Sequence, residues 1–334
     1  MVFFDSRQCV QCSTLLGFDP ESLSVLALTA QDSGVFVADN GQTHRLCENA
    51  TQYDVCNWLL PEHDESKYCL SCRLTTTIPN LENEINLARW RSLEEAKRRL
   101  AYTLLSLGLS LDGELKFEFL EDGRSDPDRY GDSHIPSGYL NGVITINVLE
   151  ADTVARESER AALNEPQRTL LGHMRHESGH HYYHKLSQLP VQKAAEWVAD
   201  FNTEFLDLFG DPNIDYAAAL AAHYANGPPA EWQMNYISAY AACHPLEDWA
   251  ETWTHYLNMV DSLETGANYN LSPKEILRLP FDERLGRFRE LSTAVNELNR
   301  SGGSEDVYPY VISPVAATKL KFVERAIWRL QTQN

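Results

Sequence analysis

The chain has 334 residues, enough for one large domain or two ordinary ones with an ample core. Its 43% hydrophobic and 23% charged residues are typical of a soluble globular protein. The formal charge of −20 argues against nucleic acid or an anionic membrane as partner, because the main electrostatic attraction would be reversed. Since the N-terminus lacks a signal-peptide pattern and no apolar run could span a bilayer, we expect a cytoplasmic protein.

Six of the seven cysteines lie before residue 73, which favours a local metal site over a disulfide framework. Two C-x-x-C pairs, each able to converge two thiolates on one metal, flank two further cysteines. Either the last four of these six cysteines or the two C-x-x-C pairs bind a structural zinc. We favour the former, because their closeness in sequence makes loop closure easier. In this case the zinc ligands are Cys47, Cys56, Cys69 and Cys72, and Cys9 and Cys12 do not bind this zinc. Metal-free buried thiols and a redox pair are weaker alternatives.

The next segments are expected to alternate between helix and strand. A linker over residues 75–80 would separate a cysteine-rich domain, residues 1–78, from a second domain, residues 79–334. Apolar residues from Trp90 to Leu107 predict a helix of about 20 residues that ends near Gly108. Strands are predicted over residues 115–120 and 143–148, with a long loop between them. The second strand is a candidate sheet edge on which an extended peptide could pair.

From there the chain is predicted to be helical and rich in aromatic residues. Asn164 as N-cap and Pro166 in the first turn predict a helix that runs to about Leu186. Aromatic residues share one face of the following helix, which should stop at Gly210. The expected helices after residue 190 span residues 191–209, 214–224, 231–242, 246–262 and 315–330, with one more starting at Ser272.

The motif that carries chemistry is His176-Glu177-Ser178-Gly179-His180, which fits H-E-x-x-H. On a helix, positions i and i+4 lie one above the other, so His176 and His180 can bind one zinc ion. Glu177 would then be the general base that takes a proton from the water attacking a polarised carbonyl. An extended three-histidine site would need Gly at 183 and His at 186, where this chain has Tyr and Leu.

A catalytic zinc site needs a third protein ligand, and the helix predicted after Pro245 offers two carboxylates. Glu247 and Glu251 stand at i and i+4, so both point from one face. We assign Glu247 as the ligand and Glu251 as the acceptor for the free N–H of a ligating histidine, in preference to the reverse. Weaker alternatives for the third ligand are His223, His244 and His255.

Stabilising a tetrahedral oxyanion requires a hydrogen-bond donor near the metal. Tyr240 precedes the helix that carries Glu247 and is our candidate. The alternative is a buried aromatic residue whose hydroxyl is satisfied within the fold.

Several segments together resemble the bacterial family of zinc-binding metallopeptidases with an N-terminal zinc ribbon. The resemblance covers nearly the whole chain. Its segments are CNWLL (56–60), YCLSCRL (68–74), TIP (77–79), EAKRRL (95–100), NGVITI (141–146), RHESGH (175–180) and HPLEDWAETW (244–253).

Membership would imply an α+β fold: a zincin-like metallopeptidase domain, mostly helical with a small sheet, after a zinc-ribbon-like domain. It would also imply a H-E-x-x-H zinc site at His176, Glu177 and His180, while Glu247 as third ligand follows by similarity to glutamate-type zincins. Relatives would carry an additional C-x-x-C ahead of Cys9, where this chain has Val2-Phe3-Phe4. That departure leaves Cys9 and Cys12 as an orphan pair.

The resulting hypothesis is a zinc-dependent peptidase with one catalytic and one structural zinc, acting on a peptide or protein substrate. A non-catalytic, zinc-stabilised interaction module is the alternative from another class. A complete set of His176, Glu177, His180 and Glu247 counts against it, since a structural site has no need of Glu177. Zinc hydrolysis of a non-peptide amide is a third possibility. The sequence is silent on substrate identity and oligomeric state.

Overall fold

The computed structural model describes residues 2–31, 34–111, 114–163, 169–188 and 201–331. The chain forms two compact units, Met1–Glu159 and Arg160–Asn334. Both helices and sheets are present, so the mixed helix-and-sheet prediction is confirmed. Within the described ranges, no helix combines the length and the apolar character needed to cross a membrane.

The first unit begins with a five-stranded antiparallel sheet that the sequence analysis did not predict. Its strands pair in chain order, and alternate residues of the second strand, among them Leu26 and Leu28, are buried against Leu59. This period-two burial of short apolar strands is the signal that could have revealed the sheet. The strands are β1 Leu15–Asp19, β2 Ser24–Ala30, β3 Val35–Ala38, β4 Thr43–Leu46 and β5 Leu59–Pro61.

A second sheet in the same unit has four strands in the order β6-β7-β9-β8. β9 pairs in parallel with β7 on one side and antiparallel with β8 on the other. The prediction that this strand is a free edge was therefore wrong. The Asn141-Gly142 turn, with φ of +49° and +88°, closes a β8–β9 hairpin. The backbone groups on this side of β9 are therefore hydrogen-bonded to β8. The strands are β6 Thr75–Thr77, β7 Lys116–Leu120, β8 Gly138–Leu140 and β9 Val143–Asn147.

The long helix of the first unit is confirmed at Glu84–Ser106, with the side chain of Asn83 accepting from the Ile85 amide. The predicted linker is partly wrong, because β6 occupies residues 75–77. The predicted loop over residues 121–142 is also partly wrong, since it contains a short helix and β8. The division at residue 78 stays a prediction. The remaining helices of this part are Glu48–Tyr53, Pro127–Tyr130 and Thr153–Leu163, the last reaching into the second unit.

The second unit is built of helices around an aromatic core. Phe201, Phe205 and Phe209 are buried on one helical face and pack with Trp249 and Phe322. This confirms the predicted aromatic face for its described part. The helices are Leu170–Ser187, residues 201–209, Tyr216–Asn226, Pro245–Asn268, Phe281–Ser301 and Pro314–Gln331.

Two helix starts differ from prediction. The helix that carries H-E-x-x-H begins at Leu170, with the Thr169 side chain accepting from the Gly172 amide. The proposed cap at Asn164 and first-turn Pro166 lie outside the described residues. The helix expected near Ser272 begins at Phe281, after a 3-10 turn and Pro280.

The helix predicted over residues 231–242 was wrong. The segment instead holds two 3-10 turns, Trp232–Met234 and Tyr240–Cys243. Between them, the Ser238 hydroxyl accepts from the Ala241 amide and donates to Glu251. A tertiary contact thus takes the place of helical hydrogen bonds.

Candidate metal centres

The H-E-x-x-H residues lie on the helix Leu170–Ser187, so the first requirement of the motif is met. His176 and His180 are one turn apart, with ring centroids separated by 5.0 Å. Glu177 is buried beside them and its Oε1 lies 3.1 Å from Nε2 of His173, one turn earlier. His173 thus contacts the candidate base directly.

The helix Pro245–Asn268 packs against this helix and brings in the carboxylates. His244 caps it, Pro245 occupies its first turn, and Glu247 and Glu251 face His176 from successive turns. Two indole N–H groups fix the pairing of the helices. Trp249 donates to the Gly179 carbonyl at 2.8 Å and Trp253 to the Ser178 hydroxyl at 3.0 Å.

Three potential ligand atoms converge between the two helices. Nε2 of His176 lies 2.8 Å from Glu247 Oε2, and Nε2 of His180 lies 3.3 Å from Glu247 Oε1. One ligand atom from each of these three residues lies within 4.8 Å of the others. Donors bound to a tetrahedral zinc at 2.0–2.1 Å lie about 3.3 Å apart, so this set of two nitrogens and one oxygen fits the ion.

Glu251 stands behind the ligand set rather than in it. Its Oε1 lies 2.8 Å from Nδ1 of His176, and its Oε2 accepts from the Ser238 hydroxyl at 2.6 Å. A carboxylate at Nδ1 holds the imidazole so that Nε2 faces the metal. This geometry favours Glu247 as ligand and Glu251 as its supporting carboxylate, the order chosen from the sequence.

The electrostatics of the site suit a cation. Burial lowers the pKa of His176, but hydrogen bonds to Glu247 and Glu251 outweigh it and raise the pKa well above its usual value. Burial raises the pKa of Glu247, yet His180 and His176 together hold it well below the usual range. The carboxylates thus favour positive charge at this position, and a bound metal would take the place of the proton on His176.

Glu177 is ionised in these surroundings. Burial alone would raise its pKa, but the hydrogen bond from His173 and the neighbouring histidines lower it below its usual value. A carboxylate beside the three ligand atoms can accept a proton from a water molecule held there.

The structure places Tyr240 at the site, with its ring 5.9 Å from the His176 ring. It also brings in Tyr216, whose hydroxyl donates to Glu247 Oε1 at 3.0 Å. Burial raises the pKa of both tyrosines, so both hydroxyls stay protonated donors at neutral pH. Sequence reasoning missed Tyr216, and no periodic pattern could have found it, because it lies 31 residues from Glu247.

The other histidines have different surroundings. Nε2 of His244 lies 3.2 Å from the Ile214 carbonyl, Nδ1 of His255 lies 2.9 Å from the Tyr308 hydroxyl, and His223 packs near Tyr240. In the portions of the chain that are described, none of them joins a group of three potential ligand atoms.

The four later cysteines come together in the first unit. Cys47, Cys56, Cys69 and Cys72 are all buried, with one sulfur from each within 4.8 Å of the others. Backbone amides point at the sulfurs: Trp58 N lies 3.4 Å from Cys56 Sγ, and Cys69 N lies 3.4 Å from Cys47 Sγ.

A four-sulfur set with amide N–H donors fits a closed structural zinc site. Burial, followed by the neighbouring thiols, raises the pKa of Cys69 well above its usual value. A divalent cation would offset this cost of ionisation. The structure thus groups the favoured four cysteines, while Cys9 and Cys12 lie outside the cluster.

The two metal-site helices approach each other closely at Gly179, which provides a structural prediction. An added Cβ would lie 3.0 Å from Ala250 Cα and 3.2 Å from Trp253 Cβ. We expect Gly179→Ala to lower the free energy of unfolding by about 1–3 kcal/mol through overpacking. It should also weaken zinc binding, because Glu247 would move away from the histidines. Denaturant unfolding and zinc titration measure the two effects.

Gly286→Ala is the matched control for that prediction. Its added Cβ meets no atom within 4 Å in the helix Phe281–Ser301. This variant should be as stable as wild type or slightly more so, since alanine favours helix. Equal stability and equal zinc affinity in both variants would contradict the role assigned to Gly179.

Comparisons with known proteins find family models for two successive parts of the chain. Residues 86–326 match a family model described as "Putative zinc-binding metallo-peptidase", and residues 1–83 match a zinc-ribbon domain. Two proteins named as uncharacterized, from Mycobacterium tuberculosis and Mycobacterium bovis, are each 36% identical over 338 residues. These alignments cover 97% of this chain and 91% of each relative. No solved structure matches the chain significantly. By the extent of these matches, the chain belongs to this family of zinc-binding metallopeptidases with an N-terminal zinc ribbon.

Proposed function

We propose that the chain is a zinc-dependent peptidase that hydrolyses a peptide bond between its two metal-site helices. The observation that carries the proposal is the convergence of His176, His180 and Glu247, with the Glu177 carboxyl buried beside them. A purely structural site would be closed by four protein ligands, whereas three leave a position for water.

In this mechanism His176, His180 and Glu247 hold the zinc, and Glu251 orients His176 through Nδ1. The ion would acidify a water molecule and polarise the substrate carbonyl. Glu177 takes the proton from the attacking water and passes it to the leaving amine, so its own charge is restored at the end.

The oxyanion formed during attack needs a donor, and two tyrosines are available. Tyr216 is partly exposed yet its hydroxyl reaches Glu247 Oε1, whereas Tyr240 lies deeper against the His176 ring. Because Tyr216 is in contact with both solvent and a metal ligand, its hydroxyl is positioned to contact an incoming substrate. We therefore assign the donor role to Tyr216, with Tyr240 packed beside the His176 ring.

Tyr216→Phe should lower kcat for a cleaved peptide by about 10²-fold, because one oxyanion donor is removed. Zinc content should not change, since the ligands remain. The matched comparison is Tyr240→Phe, for which we expect a smaller loss. If Tyr240→Phe shows the larger loss in kcat, the two roles are reversed.

Zinc content tests the metal centre independently of any substrate. We expect His176→Ala to contain one zinc atom per chain less than wild type, because the variant loses a ligand and the Glu251 contact. His184→Ala, on the same helix but exposed near its end, is the control and should keep the wild-type zinc content. An unchanged zinc content in His176→Ala would contradict the assignment of His176 as a zinc ligand.

Peptidase activity is then tested with the zinc-loaded protein and a library of unstructured peptides, with cleavage detected by mass spectrometry. Cleavage should appear with wild type and disappear with His176→Ala. Suppose that zinc-loaded wild type cleaves no peptide, although His176→Ala contains one zinc less than wild type. That result would support the metal centre and reject the peptidase assignment.

A further inference from the structure

The helix Tyr216–Asn226 lies beside the candidate metal centre and contacts it at both ends. In its first turn, the Tyr216 hydroxyl donates to Glu247 Oε1 at 3.0 Å. In its last turn, the ring of His223 packs edge-on at 6.2 Å from the ring of Tyr240. One face of this helix is therefore directed at the metal ligands along its whole length.

The same face is apolar and open to solvent. Tyr216, Leu220 and Tyr224 follow one another at every fourth position, so they form one stripe along the helix, called here the apolar stripe. Tyr216 is 43% exposed and Tyr224 is 56% exposed, and no residue of the helix is buried. An apolar helix surface that stays uncovered is typical of a place where a ligand binds.

Basic side chains are missing from this part of the sequence. No lysine or arginine occurs in residues 194–273, a stretch that includes the helix and both carboxylates of the metal centre. Two basic residues on neighbouring helices are buried and already paired: Arg175 with Asp261, and Lys319 with Asp248. These two cations are therefore not available to bind an acidic ligand.

The metal centre itself keeps a negative charge when it is loaded. Glu177, Glu247 and Glu251 surround the position of the ion and, as carboxylates, carry three negative charges against the two of Zn²⁺. A lysine or arginine side chain beside the apolar stripe would be attracted, and an acidic side chain would be repelled.

We propose that the helix Tyr216–Asn226 binds the substrate, and that it selects extended peptides with apolar and basic side chains over acidic peptides. The apolar side chains of the peptide lie on the apolar stripe, which removes both surfaces from water. Most other positions of the helix are alanine, so a peptide backbone can approach it closely. The choice of a peptide as the occupant rests on the proposed function.

Peptide binding is measured by fluorescence anisotropy on the full chain carrying Glu177→Gln and loaded with zinc, so that bound peptide is not consumed. Three labelled peptides of equal length are compared. The first consists of leucine, phenylalanine and lysine, the second has glutamate in place of lysine, and the third has serine in place of leucine and phenylalanine. The first should bind at least about tenfold more tightly than either of the others. Added salt should narrow the gap between the first and the second.

A second substitution tests the helix. Tyr224→Ser, made in the same zinc-loaded protein, should weaken binding of the first peptide by about tenfold, because it removes an aromatic side chain of the apolar stripe. Leu298→Ser is the matched control. It removes an apolar side chain that is 72% exposed on the helix Phe281–Ser301 and should leave the affinity unchanged.

Equal affinity for the first and second peptides would contradict the selection by charge, and equal affinity for the first and third would contradict the apolar contact. If none of the peptides binds, or if Tyr224→Ser weakens binding no more than Leu298→Ser, the helix is not the binding surface. Failure of the proposed function gives a different result. In that case the first peptide still binds best and Tyr224→Ser still weakens it, but zinc-loaded wild type does not cleave it.

Discussion

Glu177→Gln is expected to reduce peptide hydrolysis by about 10²- to 10⁴-fold while zinc stays bound, the range typical of a removed general base. The amide has nearly the shape of the carboxylate and can still contact His173, which lies 3.1 Å away. It cannot accept the proton of the attacking water. The three zinc ligands are untouched, so the loss should appear in kcat rather than in metal content.

The measurement is kcat on a peptide that wild type cleaves, with zinc determined on the same samples. Glu290→Gln makes the same chemical change on an exposed face of the helix Phe281–Ser301 and should cleave at the wild-type rate. A Glu177→Gln protein that retains zinc and cleaves as fast as wild type would refute the proposed base.

Cys69→Ser is expected to unfold the cysteine-rich part of the first unit. The sulfur of Cys69 lies 3.6 Å from that of Cys56, so this change breaks the cluster at its centre. Zinc binding contributes about 10–16 kcal/mol to the folding of small zinc-finger peptides, more than the whole stability of most domains. We therefore expect loss of one zinc per chain and loss of cooperative structure around Trp58, whose amide points at Cys56.

Hydrogen exchange of the β1–β5 sheet, followed with the zinc content, measures this effect. Cys12→Ser is the matched control, because that thiol is exposed and lies outside the four-sulfur cluster. It should leave exchange protection of the sheet unchanged. Equal protection in Cys69→Ser and wild type would show that the cluster does not hold this region together.

Local sequence patterns predicted the parts of the site that depend on one helix at a time. The spacing of His176 and His180 places both on one helical face, and Glu247 and Glu251 follow the same rule. The helix start at Pro245 and the helix around Trp90, marked by its spacing of apolar residues, were likewise predicted from neighbouring residues. Each of these features is set by backbone hydrogen bonds that span four residues, so a short window of sequence contains the information.

Prediction from sequence was incomplete or wrong where the local signal was weak or misleading. The first sheet consists of short strands, and only the alternation of residues such as Leu26 and Leu28 marked it. Residues 231–242 are compatible with a helix by composition, but Ser238 bonds to Glu251 and the segment breaks into 3-10 turns. Local preferences of a few tenths of a kcal/mol per residue are easily outweighed by one buried hydrogen bond to a charged group.

The sequence by itself determined which residue types could bind zinc and which of them share a helical face. Only the tertiary structure decided that Gly179 lets two helices approach, that Glu247 faces both histidines, and that Tyr216 reaches Glu247. It also enclosed β9 between two strands and separated Cys9 and Cys12 from the other cysteines. The physical reason is that these contacts join residues tens of positions apart, and packing of whole elements, rather than any local period, selects which distant side chains meet.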